Sequence, residues 1–293
     1  MTRTAIEPSP PTLAALLVAA RRRLAEALCA DANGTPQLDA ELLLAEVLGR
    51  SRAYLAAHPE ALPDADAQRR FQDLIERRAA GEPVAYLLGR KGFWTFELEV
   101  SPAVLVPRPE TELLIERVLA LRPAAHGRVA DLGTGSGAIA IALALERPGW
   151  TVVASDLSPE ALTLARRNAA RLAPGRIELH AGSWCAALPA GAFDLLVSNP
   201  PYIAAADPAF GALRCEPALA LVSGPDGLGA LRQIIAAAPA HLTPGGWLLL
   251  EHGAAQGEAV ADELAARGFV TVRTHRDLAG RERMTEGQWP AIR

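Results

Sequence analysis

The sequence predicts an α/β protein in which a doubly wound, mostly parallel sheet follows a small helical domain. Two patterns carry this prediction. From Thr12 to about Gly81 the apolar residues recur at helical spacing, without the alternation of strands. From Gly127 onward, short apolar runs alternate with helical stretches, as buried parallel strands alternate with crossover helices. With 293 residues, half of them hydrophobic, the chain can form one large and one smaller core.

The first domain is expected to be a helical bundle over residues 1–88. Turn-forming residues break the helical pattern at 31–36 and at 58–63. A helix over 64–80 then ends at Gly81-Glu-Pro83, because glycine and proline commonly follow a helix C-terminus.

A linker is expected over residues 89–122. The aromatic, alternating segment 93–100 and the apolar segment 104–106 predict a β-hairpin. A helix should begin after the proline-containing segment 107–111.

The remaining residues, 123–293, are expected to form the sheet domain. Two strand candidates near the C-terminus, 269–274 and 283–289, have no long helix between them and should close the sheet as an antiparallel pair. The buried parallel strands are predicted at 129–130, 151–155, 177–179, 193–198 and 247–250.

Composition narrows the classes of partner and location. The net charge of −4 argues against a protein that coats nucleic acid through bulk electrostatics. No apolar run approaches the roughly 20 residues of a membrane-spanning helix, so no membrane partner is expected. Cys29, Cys185 and Cys215 form no C-x-x-C pair, so we expect neither a metal site nor a disulfide framework, and we place the protein in the cytoplasm.

A glycine-rich loop joins the first predicted strand to the helix at 138–146. Glycines let the backbone approach a ligand closely, while the helix N-terminus faces that ligand. Gly133, Gly135 and Ala138 also satisfy the dinucleotide spacing G-x-G-x-x-A, so the loop alone does not identify the cofactor. The candidate cofactor-binding residues of the loop are Gly133, Thr134, Gly135, Ser136 and Gly137.

The second strand ends at Asp156, before a helix that Ser158 caps. A carboxylate at that position can accept hydrogen bonds from both ribose hydroxyls of a nucleoside. NAD and S-adenosyl-L-methionine both contain such a ribose, so Asp156 indicates a nucleoside cofactor without choosing between them.

The tetrapeptide Asn199-Pro-Pro-Tyr202, which follows the fourth strand, favours S-adenosyl-L-methionine over NAD. The Asn199 side-chain oxygen and the Pro200 carbonyl can both accept from a planar NH₂ group, and Tyr202 can pack on its flat face. An amide or aromatic amine is a weak nucleophile, so holding it in line with a methyl donor supplies much of the rate. The predicted substrate-binding residues are Asn199, Pro200, Pro201 and Tyr202, of which Asn199, Pro200 and Tyr202 are the catalytic candidates.

The order of loop, strand-end acid and tetrapeptide resembles class I methyltransferases that modify planar amino groups. Three further segments, 77–89, 93–94 and 106–112, resemble the release-factor glutamine methyltransferases within that class. Additional similar segments are Glu216-Pro217, Ala220-Leu221 and Leu248 to Gly253.

This resemblance implies an S-adenosyl-L-methionine-dependent protein-glutamine N-methyltransferase with a Rossmann-like methyltransferase sheet. It implies that residues 133–137 and Asp156 bind the cofactor, that Trp184 packs against its adenine, and that Asn199 touches both ligands. The expected substrate is the glutamine of the Gly-Gly-Gln motif in peptide-chain release factors. The N-terminal helices would grip the release factor, and we expect the enzyme to be a monomer.

Several points stay open at this stage. Ser183 stands where the family pattern has an aspartate, so adenine recognition there would rest on backbone groups or stacking. Arg108 and Glu110 could cover the cofactor, contact the substrate or form a structural ion pair. His252 could face the site, although no general base is required, because a methylated amide loses its proton readily.

Other functions compete with release-factor methylation. The tetrapeptide does not separate a release factor from a ribosomal protein as the source of the glutamine. A nucleic-acid adenine methyltransferase shares the tetrapeptide, but no basic target-recognition insertion lies between Tyr202 and Trp247. A noncatalytic adaptor conflicts with the intact site residues, and an NAD-dependent oxidoreductase lacks a paired acid and base.

Overall fold

The computed structural model describes residues 10–28, 34–121, 125–208, 211 and 213–291. The chain divides into two compact units, Met1–Leu88 and Gly89–Arg293. The predicted break at 31–36 falls partly on residues 29–33, which lie outside the described residues, as does Cys29. No helix in the described part of the chain is long and apolar enough to cross a membrane.

The first unit is helical in its described residues, as its apolar periodicity predicts. Side-chain caps set where several helices begin: Thr12, Ser51 and Asp64 each accept a hydrogen bond from the backbone N–H three residues later. The helices are α1 (Leu13–Ala27), α2 (Pro36–Leu48), α3 (Arg52–Ala57), α4 (Ala65–Ala79) and α5 (Val84–Leu88).

The core of the first unit is aliphatic with one phenylalanine, and it includes Leu24, Leu43 and Phe71. A buried ion pair lies beside it, in which Arg78 Nε is 2.8 Å from Asp39 Oδ2. Removing either partner would leave an uncompensated buried charge, so this pair makes the packing of α2 against α4 specific.

The second unit contains a two-stranded hairpin and a seven-stranded sheet. The hairpin strands are β1 (Arg90–Phe93) and β2 (Phe96–Glu99). The sheet strands are β3 (Arg128–Leu132), β4 (Thr151–Asp156), β5 (Ile177–Ala181), β6 (Phe193–Ser198), β7 (Leu242–Glu251), β8 (Val270–Arg276) and β9 (Glu282–Gln288). The helices are α6 (Glu112–Ala120), α7 (Ala138–Glu146), α8 (Pro159–Leu172), α9 (Gly229–Ala237) and α10 (Gly257–Arg267).

The strand order is β5-β4-β3-β6-β7-β9-β8. Strands β3 to β7 pair in parallel, whereas β9 runs antiparallel to both β7 and β8. The predicted doubly wound, mostly parallel sheet with an antiparallel C-terminal strand is therefore confirmed. β3 carries fully buried residues on both faces, including Val129 and Ala130, which explains its continuous apolar run.

The hairpin differs in detail from its prediction. Its two strands lie on either side of a turn at Trp94, so 93–100 is not one continuous strand, and 104–106 lies outside any strand. Trp94 has a positive φ of 52°. Its backbone N–H donates to Glu112 and its indole N–H donates to Glu146, at 2.9 and 2.8 Å. These two bonds attach the turn to α6 and α7.

Asn168 connects the hairpin to the rest of the second unit. This fully buried side chain, on α8, accepts from Glu99 N–H at 2.8 Å. Its amide group donates to the carbonyls of Glu99 and Ser136, at 3.0 and 2.9 Å. One asparagine thus satisfies backbone groups on β2 and on the loop that follows β3.

Candidate active site

A cleft opens at the carboxyl ends of β3, β4 and β6, where the sheet order reverses around β3. Open parallel sheets bind ligands at this topological switch point. The cleft contains about 1050 Å³ of space, part of it open to solvent. Its walls bring together eight of the predicted site residues: Gly133, Thr134, Gly135, Ser136, Asp156, Trp184, Asn199 and Pro201.

The glycine loop forms one wall of the cleft. Gly133 and Gly135 have φ values of 75° and 56°, a region in which a side chain is strained. The N–H groups of Gly133 and Thr134 donate to Ser155 O at 2.8 and 2.9 Å, which ties the loop to β4. A Cβ built on Gly135 meets no atom within 4 Å, so the backbone there is open to a ligand.

Asp131 supports this loop from beneath. Its Oδ2 accepts from the Thr134 hydroxyl at 2.6 Å and from Ala140 N–H at 3.2 Å. The side chain is fully buried, and burial raises the pKa of this carboxyl to about 7. The Asp131 carboxyl therefore holds the loop and the start of α7 together.

Asp156 forms the next part of the wall, at the end of β4. Its Oδ2 accepts from Gly135 N–H at 2.8 Å, and its Oδ1 accepts from Ser158 N–H at 2.9 Å. Each carboxylate oxygen can accept more than one hydrogen bond, so both retain capacity for hydroxyl donors in the cleft. This arrangement suits the two ribose hydroxyls of a nucleoside.

Trp184 presents its indole ring to the cleft. The residue is half-buried and has a φ of 47°. Its ring packs closely on Gly133, since a Cβ at that position would lie 2.8 Å from Trp184 Cζ3. Ser183 also lines the cleft, so no carboxylate stands at that position beside the ring. A flat aromatic surface next to the glycine loop is suited to stacking on a planar base.

The tetrapeptide divides between the cleft and the interior. Asn199 and Pro201 line the cleft, while Pro200 is buried. Tyr202 lies outside the cleft wall and packs against the core of the sheet, with its hydroxyl 3.4 Å from Glu251 Oε1. Burial raises the pKa of the Tyr202 phenol, which therefore stays protonated. Gly137, the predicted loop residue at the N-cap of α7, also lies outside the wall.

The Asn199 side chain makes a contact that the sequence did not indicate. Its Nδ2 donates to Thr111 Oγ1 at 3.0 Å. Thr111 lies in the short turn Pro109–Thr111 before α6 and is nearly fully buried. With the NH₂ group held in this way, the amide oxygen is on the opposite edge of the Asn199 side-chain plane.

Two polar residues left open by the sequence have structural partners. Arg108 forms an ion pair with Glu216, whose other carboxylate oxygen accepts from Val106 N–H at 3.0 Å. His252 is fully buried, with Nδ1 2.9 Å from Gly253 O and Nε2 2.8 Å from Thr285 Oγ1. Burial lowers the pKa of His252, and the residue does not line the cleft.

Sequence reasoning missed most of the apolar wall. These residues come from the segment after the hairpin and from the turn around 218–220, and none carries a chemical signature that a single sequence would reveal. Pro107, Pro217 and Ala220 belong to segments that resemble the family, and the other wall residues lie within three positions of those segments. The wall residues in question are Ala103, Val104, Leu105, Pro107, Pro217, Leu219 and Ala220.

The donor and acceptor set fits a nucleoside cofactor with an amino-acid tail. An open glycine backbone, a carboxylate with spare acceptor capacity and an aromatic face converge on one cleft, which Asn199 also lines. Among the described residues, no cluster of His, Cys, Asp and Glu side chains could hold a metal ion.

Comparison with known families covers both units. Residues 15–89 match the family model described as the PrmC N-terminal domain. Residues 109–214 match the methyltransferase small domain, which includes the glycine loop, the strand-end acid and the tetrapeptide.

Curated relatives match over most of the chain. The release factor glutamine methyltransferase of Pseudomonas aeruginosa is 54% identical over 255 residues, which are 86% of this chain and 92% of that protein. The release factor glutamine methyltransferase of Xylella fastidiosa strain Temecula1 is 50% identical over 285 residues, 96% of this chain and all of that protein. Among solved structures, a methyltransferase from Pyrococcus furiosus shares the fold, with a TM-score of 0.52, 21% identity and coverage of 77% of this chain and all of that one.

Proposed function

Because this chain belongs to the release factor glutamine methyltransferase family, we propose that it methylates the side-chain amide nitrogen of the glutamine in the Gly-Gly-Gln motif of a peptide-chain release factor. The methyl donor in this proposal is S-adenosyl-L-methionine. The observation that carries the proposal is the position of Asn199, which lines the same cleft as the glycine loop and Asp156. In this proposal the acceptor for the substrate amide and the residues that bind the nucleoside line one cleft.

Each part of the cleft has a role in this proposal. The glycine loop accommodates the amino-acid tail, Asp156 accepts from the ribose hydroxyls, and Trp184 stacks on the adenine. When bound, the cofactor supplies an electrophilic methyl group on a sulfonium. Pro201, which follows the acceptor pair and lines the cleft, forms the edge of the glutamine site. Tyr202 packs against the core of the sheet outside the cleft wall, so its packing on the amide plane stays a prediction.

Asn199 and Pro200 act by orienting the substrate amide. The Asn199 side-chain oxygen and the Pro200 carbonyl accept its two N–H groups and hold the nitrogen toward the methyl donor. Good alignment of two reactants can contribute roughly 7–11 kcal/mol of the barrier, which suits a weak nucleophile such as an amide. Methyl transfer forms an N–C bond and breaks an S–C bond, and the methylated amide then releases one proton to water.

We further propose that the helical unit, residues 1–88, recruits the release factor to the enzyme. Its match to the PrmC N-terminal domain supports this assignment, and the Xylella fastidiosa relative aligns with 96% of this chain, which includes most of that unit. In this proposal the enzyme acts as a monomer in the cytoplasm, on protein and not on nucleic acid.

Mass spectrometry tests the proposal directly. Purified enzyme, release factor and S-adenosyl-L-methionine are incubated, and the peptide that contains Gly-Gly-Gln is analysed for one added methyl group. The same reaction with Asn199→Ala should leave that peptide unmodified, while the variant melts near the wild-type temperature. A release factor carrying Gly-Gly-Ala serves as the substrate control.

Two results would contradict the assignment. If the enzyme binds S-adenosyl-L-methionine but leaves the release factor unmodified, the proposed substrate is wrong. Methylation of a glutamine in a ribosomal protein, or of adenine in nucleic acid, would then identify the competing function.

A further inference from the structure

We propose that Glu216 is a positioning residue for cofactor binding, which holds two apolar segments of the cleft wall, 103–107 and 217–220, in place against the cofactor. Glu216 and its partner Arg108 lie outside the cleft lining, so they act through these two segments. The inference rests on the proposed function, because it takes S-adenosyl-L-methionine to be the ligand of the cleft.

The two wall segments lie outside the sheet, although both line the same cleft. The first, 103–107, follows the hairpin, and the second contains the short turn Ala218–Ala220. Neither segment contains a strand, so the hydrogen bonds of a sheet do not fix its position. Contacts from side chains must therefore contribute to holding the wall.

The Glu216 carboxylate makes two bonds to the first segment and the residue that follows it. Its Oε2 accepts from Val106 N–H at 3.0 Å, and its Oε1 accepts from the guanidinium of Arg108 in an ion pair. The Glu216 side chain is only 3% exposed, whereas that of Arg108 is 36% exposed. Hydrogen bonds of this charged kind are stronger than neutral ones, so the three residues form a firm connection. We call these two bonds the Glu216 clasp.

The Glu216 clasp adjoins wall residues on both sides. In the first segment its bonds are made at Val106 and Arg108, which flank Pro107 of the wall. In the second segment Glu216 directly precedes Pro217, whose carbonyl accepts from Ala220 N–H at 2.9 Å and closes the turn. Loss of the clasp would therefore release both segments from each other.

Leu219 shows what the wall offers to a ligand. It lines the cleft, yet it is 58% exposed. A cofactor that fills the cleft would remove this apolar surface from water, which favours binding. Because the clasp already holds the wall, binding need not spend free energy on ordering it. The clasp should therefore strengthen cofactor binding without touching the cofactor.

A role in packing alone would affect stability but not cofactor affinity. The ion pair of Arg117 and Glu286 provides the matched comparison. Glu286 is fully buried, the two nitrogens of Arg117 lie 2.6 and 2.7 Å from its oxygens, and neither residue lines the cleft. Breaking this pair should destabilise the second unit and leave the wall where it is.

Isothermal titration calorimetry with S-adenosyl-L-methionine, without protein substrate, measures Kd for each variant. Glu216→Gln keeps an acceptor for Val106 but loses the charge that pairs with Arg108, and Arg108→Met removes the cation. We expect each change to raise Kd about 10- to 100-fold, as loss of a charge-assisted bond implies. Leu219→Ala should raise Kd about 5- to 30-fold. The control, Arg117→Met, should leave Kd within about twofold of wild type, because its site is independent of the wall.

Two further readouts test how the clasp acts. In the methylation reaction, Glu216→Gln should raise KM for S-adenosyl-L-methionine, while kcat at saturating cofactor stays within about threefold of wild type, because the groups that orient the amide are unchanged. Kd of the double variant Glu216→Gln, Leu219→Ala should rise less than the product of the two single effects, since both changes act through the same wall.

The inference is overturned if Glu216→Gln and Arg108→Met bind S-adenosyl-L-methionine as tightly as the wild type. An equal rise of Kd in Arg117→Met would also overturn it, because a general loss of stability would then explain the effect. The side chains of Arg108 and Leu219 are partly exposed, so Arg108→Met and Leu219→Ala decide the question even if Glu216→Gln fails to fold.

Failure of the proposed function gives a different result. A wild type that binds S-adenosyl-L-methionine but leaves the release factor unmodified would refute the proposed substrate. The Kd comparisons would still decide the role of Glu216 in that case. A wild type that does not bind S-adenosyl-L-methionine would refute both the proposed methyl donor and this inference.

Discussion

Replacing Gly133 with alanine would place a methyl group 2.8 Å from Cζ3 of Trp184. Carbon atoms attract each other best at about 3.5–4.0 Å, so the two groups would overlap by nearly 1 Å. Gly135, two residues later in the same loop, also has a positive φ, yet a Cβ there meets nothing within 4 Å. Alanine at 135 would therefore carry the backbone strain without the overlap.

The two costs can be separated. An alanine in the left-handed region costs about 1–2 kcal/mol, and this term applies at both positions. Overpacking against a well-held side chain adds about 1–3 kcal/mol, and this term applies to Gly133→Ala alone. We therefore expect Gly133→Ala to lower the free energy of unfolding by about 2–5 kcal/mol, and Gly135→Ala by about 1–2 kcal/mol.

Urea unfolding followed by tryptophan fluorescence measures these losses. All five tryptophans lie beyond residue 88, so the signal reports on the second unit alone. The protein is unfolded without ligand, because alanine at 135 could also obstruct a bound cofactor. In a Trp184→Leu background, the cost of Gly133→Ala should fall to that of Gly135→Ala.

Equal losses for the two single variants in the wild-type background would refute the reasoning. The contact between Gly133 and the Trp184 ring would then contribute nothing beyond backbone strain. A full cost of Gly133→Ala that persists in the Trp184→Leu background would assign the overlap to another neighbour.

Three further predictions concern buried polar groups. Burial raises the pKa of Asp131 from 3.8 to about 7 in the folded protein, so its stabilising contribution is complete below about pH 4 and is lost as pH rises through 7. In urea unfolding at several pH values, the free energy of unfolding of Asp131→Asn should therefore increase relative to that of the wild type as pH rises, by at most about 4 kcal/mol. Asn168→Leu should lower the free energy of unfolding by about 2–4 kcal/mol, because backbone groups on two segments lose their hydrogen-bond partner. A loss below about 1 kcal/mol in the same assay would contradict this. Arg117→Met leaves the fully buried Glu286 without its bidentate partner and should cost about 3–5 kcal/mol by the same measurement, whereas an additional Glu286→Gln change should recover part of that loss.

The sequence predicted which segments form the sheet more accurately than it predicted the residues at which the strands begin and end. β7 begins at Leu242, five residues before its predicted start at Trp247. The intervening segment contains proline and glycines, which are typical of turns, but its pairing with β6 across a register shift extends the strand. The hairpin turn was missed at Trp94 because aromatic residues favour strands, and the contacts that hold this turn come from Glu112 and Glu146.

The site residues were predictable where the functional groups lie together in one short segment of the sequence. The glycine loop and Asn199 each follow a strand directly and Asp156 ends one, so the sequence alone brings them to one edge of the sheet. Thr111 was out of reach because its contact with Asn199 depends on how the turn before α6 approaches the end of β6 in space. Roles that arise from such juxtaposition leave no pattern in a single sequence.

The bonds of Asn168 have a thermodynamic consequence for the whole second unit. Through one amide, the carbonyl of Ser136 in the glycine loop and the backbone of Glu99 in the hairpin share a single support. Coupling free energy is reciprocal, so if a ligand on the loop strengthens the hairpin contacts, a change that strengthens those contacts raises the affinity for that ligand by the same factor. Slower hydrogen exchange at the Glu99 amide should therefore report that the cleft is filled.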